Sequence, residues 1–172
     1  MRYFDVYFDD ESEKFGMARS RSEDLLFLPD RGAVTEWVEP QFDLVDGVFF
    51  DYLANDLGLQ LCSDRMRRVL ESAASPADVL QWLPTQVTRG NEVRTYWVLH
   101  FPEPVDALGK RTIWQDDFVV KPVLSEARLQ DHAVLTYPGA QGLAWVVSEQ
   151  AKDALEGASC TGFECEAAAV EP

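Results

Sequence analysis

The sequence predicts an α+β fold of mostly antiparallel strands with two amphipathic helices, organised as one domain over residues 1–172. Three observations carry that expectation. Short β-branched and aromatic runs recur between Pro, Gly and Asp punctuation, as strands and turns require. Only two segments, about 62–74 and 148–157, place apolar residues at helical spacing behind a serine. Finally, 172 residues with 47% hydrophobic content can bury a core without a metal or disulfide staple. No stretch is long enough to act as a linker.

Taken in order, Arg2–Phe8 (RYFDVYF) reads as an opening strand, and the polar stretch 9–24 as an exposed loop. Leu25–Leu28 is an apolar run stopped by Pro29-Asp30-Arg31-Gly32, a turn signal. Val34–Val38 reads as a strand closed by Pro40, while 42–53 mixes Asp with large apolar residues and stays open between strand and irregular structure. Cys62-Ser63-Asp64 opens the first helix. Ser63 is its cap, because a serine hydroxyl accepts from an otherwise unpaired first-turn amide. Met66, Val69, Leu70 and Ala73 share a face there, and Pro76 ends it. Val79–Val87 and Val93–Phe101 read as two strands joined around Arg89-Gly90-Asn91-Glu92, and Pro84 marks the first as an edge or bulged strand. Phe118–Leu124, Ala133–Tyr137 and Leu143–Val147 are short strands. Ser148 caps the second helix, with Ala151, Ala154 and Leu155 on one side, and Thr161-Gly162 turns into a last strand over Phe163–Val170.

Charge excludes one class of function. Thirty acidic against fifteen basic residues give −15, which repels a phosphate backbone, since nucleic-acid affinity rests on Lys and Arg displacing counterions. The charge is uneven: residues 1–60 carry −9, residues 61–125 balance to zero, and residues 126–172 carry −6. If the two ends share a face, its field favours a basic partner. The acidic start lacks the basic and apolar runs of a signal peptide, and no apolar stretch is long enough for a membrane span. Three cysteines, Cys62, Cys160 and Cys165, have no metal-ligand spacing and leave an odd thiol, which points to a reducing cytoplasm.

The two helical segments stand in similar frames. At an offset of 85, Ser63, Asp64, Leu70 and Glu71 correspond to Ser148, Glu149, Leu155 and Glu156. Duplication and the shared physics of capped amphipathic helices both account for this. The run LCSDRMRRVLESA, the Trp82-Leu83-Pro84 strand, VRTYWVLHF, and WVVSEQAKDALEGASCTGFEC with its closing Thr161-Gly162-Phe163 follow one another in a set order. Over about residues 55–170 that order resembles the eleventh immunity-protein family of bacterial polymorphic toxin systems. The resemblance implies a protein made beside a toxin that binds it and protects the producing cell. It supplies no catalytic motif.

The residues themselves offer little chemistry. His100 ends an apolar strand. His132 follows Asp131, but neighbours on a strand point to opposite faces. No nucleophile elbow, Walker loop or dinucleotide fingerprint occurs, and no cofactor is expected. The acidic groups Asp9-Asp10-Glu11, Asp43 with Asp46, and Asp116-Asp117 lack the alternating ligands of a calcium loop. Trp82, Trp97 and Trp145 lie in strands as core. Trp37, beside Glu36 and Glu39, and Trp114, beside Asp116 and Asp117, read as aromatic anchors ringed by acids. The expectation is a non-enzymatic binding protein that blocks a cognate toxin, or another basic protein, through these eleven residues. A regulatory or scaffold module and a carboxylate enzyme using Asp116 and Asp117 are the alternatives. Oligomeric state is open.

Overall fold

A computed structural model describes residues 1–11, 13–22, 26–140 and 142–172. The chain begins with β1 (Tyr3–Phe8), β2 (Met17–Ser20), β3 (Gln41–Asp46), β4 (Tyr52–Asn55), β5 (Gln60–Ser63) and α1 (Asp64–Ala73). It continues through β6 (Gln81–Arg89), β7 (Glu92–His100), β8 (Ile113–Gln115), β9 (Phe118–Lys121), β10 (Leu124–Ser125) and α2 (Glu126–Leu129). The last part holds β11 (Val134–Leu135), β12 (Val146–Ser148), α3 (Glu149–Gly157), β13 (Phe163–Ala167) and β14 (Val170–Glu171). The class is α+β: a closed barrel in the order β2-β3-β6-β7-β5-β4 stands beside a four-stranded sheet in the order β11-β12-β1-β13. Most pairings are antiparallel, with parallel pairs where β2 meets β4, β3 meets β6 and β10 meets β14.

Both helices recognisable in the sequence form, and they form for the expected reason. Ser63 accepts from the Met66 amide at 3.1 Å and Ser148 from the Ala151 amide at 3.2 Å, each filling one vacancy of a first helical turn. Met66 and Leu70 of α1 meet Ala151 and Leu155 of α3 in one apolar cluster with Phe4, Val6 and Trp145. Burying such a Met or Leu contributes about 2 kcal/mol each. This cluster joins the four-stranded sheet to the barrel wall through Tyr52, Cys62 and Leu99. A second cluster fills the barrel around Phe42, Leu61, Val87 and Val98, and a third packs Tyr3, Leu124, Leu129 and Val146 beneath α2.

A single buried carboxylate ties these parts together. Asp51, at the entry to β4, is 5% exposed. It accepts from the Ser63 hydroxyl at 2.5 Å, from Arg65 Nε at 3.0 Å, and from the Thr161 amide and hydroxyl at 2.8 and 2.9 Å. Burial alone would raise this carboxyl. The hydrogen bonds from Arg65, Ser63 and Thr161 outweigh it and hold the group below its usual range. The same serine that caps α1 therefore also anchors the Thr161-Gly162 turn that leads into β13.

Several expectations need correction. The stretch 9–24 is not all loop, because β2 lies within it and pairs with both β3 and β4. Val34–Val38 forms no strand. Val34 instead exchanges both its backbone groups with the Gln81 side-chain amide at 2.8 Å, and Trp37 donates to the Pro84 carbonyl at 2.7 Å. Pro84 has no N–H to extend a ladder on that side, so side chains replace it. β3 pairs with β6 only from Gln86 onward, which leaves Pro84 on an unpaired flank. The first helix begins at Asp64 because Cys62 and Ser63 still belong to β5. A third helix, the four-residue α2, and the β8–β9 hairpin were not foreseen. Of the apolar run 25–28, Leu25 lies outside the described residues.

Candidate functional site

Pairing of β1 with β13 brings the two acidic ends of the chain onto one surface. The register is antiparallel, with Asp5 opposite Glu166 and Tyr7 opposite Glu164. Directly opposed residues project to the same side of a sheet, so Asp5, Tyr7, Glu164 and Glu166 share a face. Asp9, one residue beyond β1, is pinned by its amide to the Gly162 carbonyl at 3.0 Å, which keeps Asp10 and Glu11 beside the start of β13. Lys14 answers part of the charge, lying 3.6 Å from Asp9 and 3.3 Å from Glu11.

The electrostatic cost of this arrangement shows in the titration of its members. Burial, reinforced by Glu166, pushes the Asp5 carboxyl up to about 6. Glu164 is likewise raised, by desolvation and then by Asp10, Asp9, Glu166 and Glu11. Opposed like charges destabilise a strand pair. Tyr7, 45% exposed, stands among these carboxylates as an amphipathic aromatic of the kind that anchors protein interfaces.

The residues singled out from the sequence are distributed over different elements. Asp9, Asp10 and Glu11 belong to the acidic face, although Asp9 is largely buried. Asp46 sits at the end of β3, where its side chain accepts from the Gly47 amide at 2.8 Å, and Gly47 rests against the Phe15 carbonyl just past the acidic turn. Asp43 is held by Arg21 across the β2–β3 pair, with contacts of 2.6 and 3.1 Å. Glu36, Trp37 and Glu39 lie on the segment that covers β6. Glu36 and Glu39 are exposed, whereas the Trp37 ring packs on the barrel cluster. Trp114, Asp116 and Asp117 form part of the β8–β9 hairpin, with Asp116 at φ 52 in its tip and Trp114 47% exposed.

Asp5, Tyr7, Glu164 and Glu166 were missed as site residues. The signal was present in the −9 and −6 of the two ends and in the alternation of F-E-C-E, but only the strand pairing turns it into a surface. The histidines take structural posts. His100 is buried with Nε2 2.8 Å from the Gly32 carbonyl. His132 pairs with Asp78 rather than Asp131, its Nδ1 lying 2.9 Å away. The Asp78 carboxylate is fully buried and also accepts from the Ser75, Ala133 and Val134 amides at 2.8–3.0 Å. Ser75, the hydroxyl beside this pair, donates to the Asp131 carbonyl at 2.6 Å. The Asp–His pair therefore staples the segment after α1 to β11. Burial raises all three thiols, Cys160 to about 11 and Cys165 to about 12, which opposes thiolate chemistry. Among the described residues no cluster of His, Cys, Asp and Glu is arranged to hold a metal ion, and no helix is long and apolar enough to cross a membrane.

No curated protein matches the chain. Residues 19–170, by contrast, match the sequence model of the immunity protein family Imm11, well beyond the 55–170 that carried the resemblance in the sequence. That span runs from the second half of β2 through the first residue of β14 and takes in the rest of the barrel, both capped helices and β13. The chain is therefore a member of the Imm11 immunity protein family.

Proposed function

We propose that this chain neutralises a cognate toxin by binding it in the cytoplasm of the producing bacterium, as one domain and without chemistry of its own. On this reading a basic surface of the toxin is drawn to the acidic face of β1 and β13. The observation that carries it is the pairing of Asp5 with Glu166 and Tyr7 with Glu164, which concentrates charge where it costs stability. Steering by that field speeds encounter, and Tyr7 supplies an aromatic contact that slows release. Glu36, Glu39, Asp46 and Asp116 add to the long-range field, whereas the charge of Asp43 is answered by Arg21.

Co-expression with the product of the neighbouring gene tests this. Wild-type chain restores growth of cells making that product, and association of the purified pair slows as salt rises from about 0.05 to about 0.5 M. Glu164→Lys with Glu166→Lys lowers the association rate by about tenfold or more. Cells that still die in the presence of wild-type chain would overturn the reading.

A further inference from the structure

A second surface carries apolar rather than electrostatic character. Between segment 26–31, turn 56–60, the end of β7 and residues 136–139 and 142–143 lies an open cleft of about 650 Å³. Its walls are more apolar than polar, with Leu57, Leu59, Phe101 and Tyr137 among them. Phe27 and Leu143 stand at its lining 81% and 64% exposed, two large apolar side chains at the mouth of one cleft. The polar groups deepest in the lining are already spent. Gln60 donates to the Gly142 carbonyl at 2.6 Å and takes the Tyr52 hydroxyl, and His100 is held by Gly32. A small polar ligand would find few free partners there.

The β8–β9 hairpin extends this surface. Gly139, at φ +83, lies so close under the Trp114 ring that a Cβ there would come within 2.7 Å of it, and the Asp117 carbonyl is 3.2 Å from the same point. Gly139 and Asp117 both line the cleft. The half-exposed Trp114 therefore sits against the Gly139 wall of the cleft, a third large apolar group at this surface. Charged lining residues are Asp30, Asp56 and Asp117 against Arg31. This balance selects the occupant: apolar side chains fill the cleft, and cations flank them. A second copy of this chain would bring another −15 to the contact and is disfavoured by repulsion.

We propose that this cleft is the apolar seat of the complex, taking a toxin segment with one or two large apolar side chains flanked by Lys or Arg. It rests on the reading above, with the acidic face steering the partner and the cleft holding it. Such a division is common at interfaces, where charge governs encounter and a few desolvated apolar anchors govern lifetime.

The test uses full-length chain and three labelled peptides: one alternating Lys with Leu and Trp, one with Glu in place of Lys, and one with Ser in place of Leu and Trp. Binding is read by fluorescence anisotropy against wild type, Phe27→Asp/Leu143→Asp, and the control Val93→Asp, which alters a 57% exposed residue on β7. Thermal melting of each variant, with Phe27→Ala/Leu143→Ala as a milder pair, separates misfolding from lost contact. Only the Lys-Leu-Trp peptide is expected to bind, and the double Asp variant weakens it by about tenfold. Added negative charge alone would strengthen a basic peptide, so that loss reports apolar contact. In cells, the same variant loses rescue that Val93→Asp keeps. Equal binding to wild type and the double variant, no binding of that peptide, or undiminished rescue by the double variant would each overturn the cleft while leaving toxin neutralisation standing. Self-association of wild type that the double variant abolishes would also overturn it, in favour of a second copy. Failure of wild type to rescue removes the toxin as occupant and sinks the parent reading, and the peptides still decide the chemistry of the cleft.

Discussion

Asp51 and Asp5 are both carboxylates removed from water, and the molecule treats them in opposite ways. Around Asp51 it gathers a guanidinium, two hydroxyls and an amide, so the charged form is held below its usual range. Around Asp5 it offers burial and then Glu166 instead, and the carboxyl rises to about 6. The first site spends its charge on joining β4, α1 and the turn before β13. The second keeps charge in reserve at a stability cost, the pattern expected where a partner rather than the fold supplies the counter-charge. The two treatments lie at opposite ends of one strand, since β13 begins beside the Asp51 network and runs into the Glu166 pair.

Removing the first carboxylate should give the largest effect. Asp51→Ala strands the donors of Thr161 and Arg65 and should cost about 3 kcal/mol by urea denaturation at pH 7. Because folding depresses this carboxyl from 3.8, its contribution is present above that value and fades as pH falls through the lower folded value. Asp51→Asn and wild type should therefore converge in acid, and a constant gap would show that charge is not what the site uses. Ser63→Ala should cost more than Ser148→Ala, whose loss is about 1 kcal/mol, because Ser63 serves both a helix cap and Asp51. Equal losses would break the proposed dual role.

The opposite sign is expected at the other carboxylate. Between 3.8 and about 6 the folded state holds a proton on Asp5 that the unfolded state has released, so stability falls as pH rises through that window. Asp5→Asn should accordingly raise the melting temperature at pH 7 and leave it nearly unchanged near pH 4. A variant less stable than wild type at pH 7 would remove the contrast. The smallest effect should come from Arg21→Ala, which breaks an ion pair with both side chains about half exposed and should leave the melting temperature nearly unchanged.

Legibility of the sequence followed locality. Ser63 and Ser148 announce their helices because a cap and an apolar face are encoded within a dozen residues, and the β6–β7 hairpin is equally local around Gly90-Asn91. The barrel is not: β2 is four residues long and draws its meaning from β3 and β4, more than twenty residues away, and Val34–Val38 is denied a strand by Pro84. The same rule governs the site. Asp9, Asp10 and Glu11 could be read as an acidic run, while Glu164 and Glu166 join them only through the register with Tyr7 and Asp5. Trp37 and Trp114 have the same acidic surroundings in sequence, yet one packs on the barrel and the other stays half exposed, a difference set by which loop finds a proline-bearing strand to cover.

The β1–β13 pairing also has a consequence in time. Phe4 meets Ala167 across nearly the whole chain, and at translation rates of about 5–20 residues per second the ribosome needs on the order of ten seconds to pass from one to the other. Until then the carboxylates of β1 and β13 are not brought together, and β1 lacks its β13 partner. A nascent or prematurely released chain would therefore lack both the edge strand of this sheet and the opposed carboxylates that β13 brings to β1.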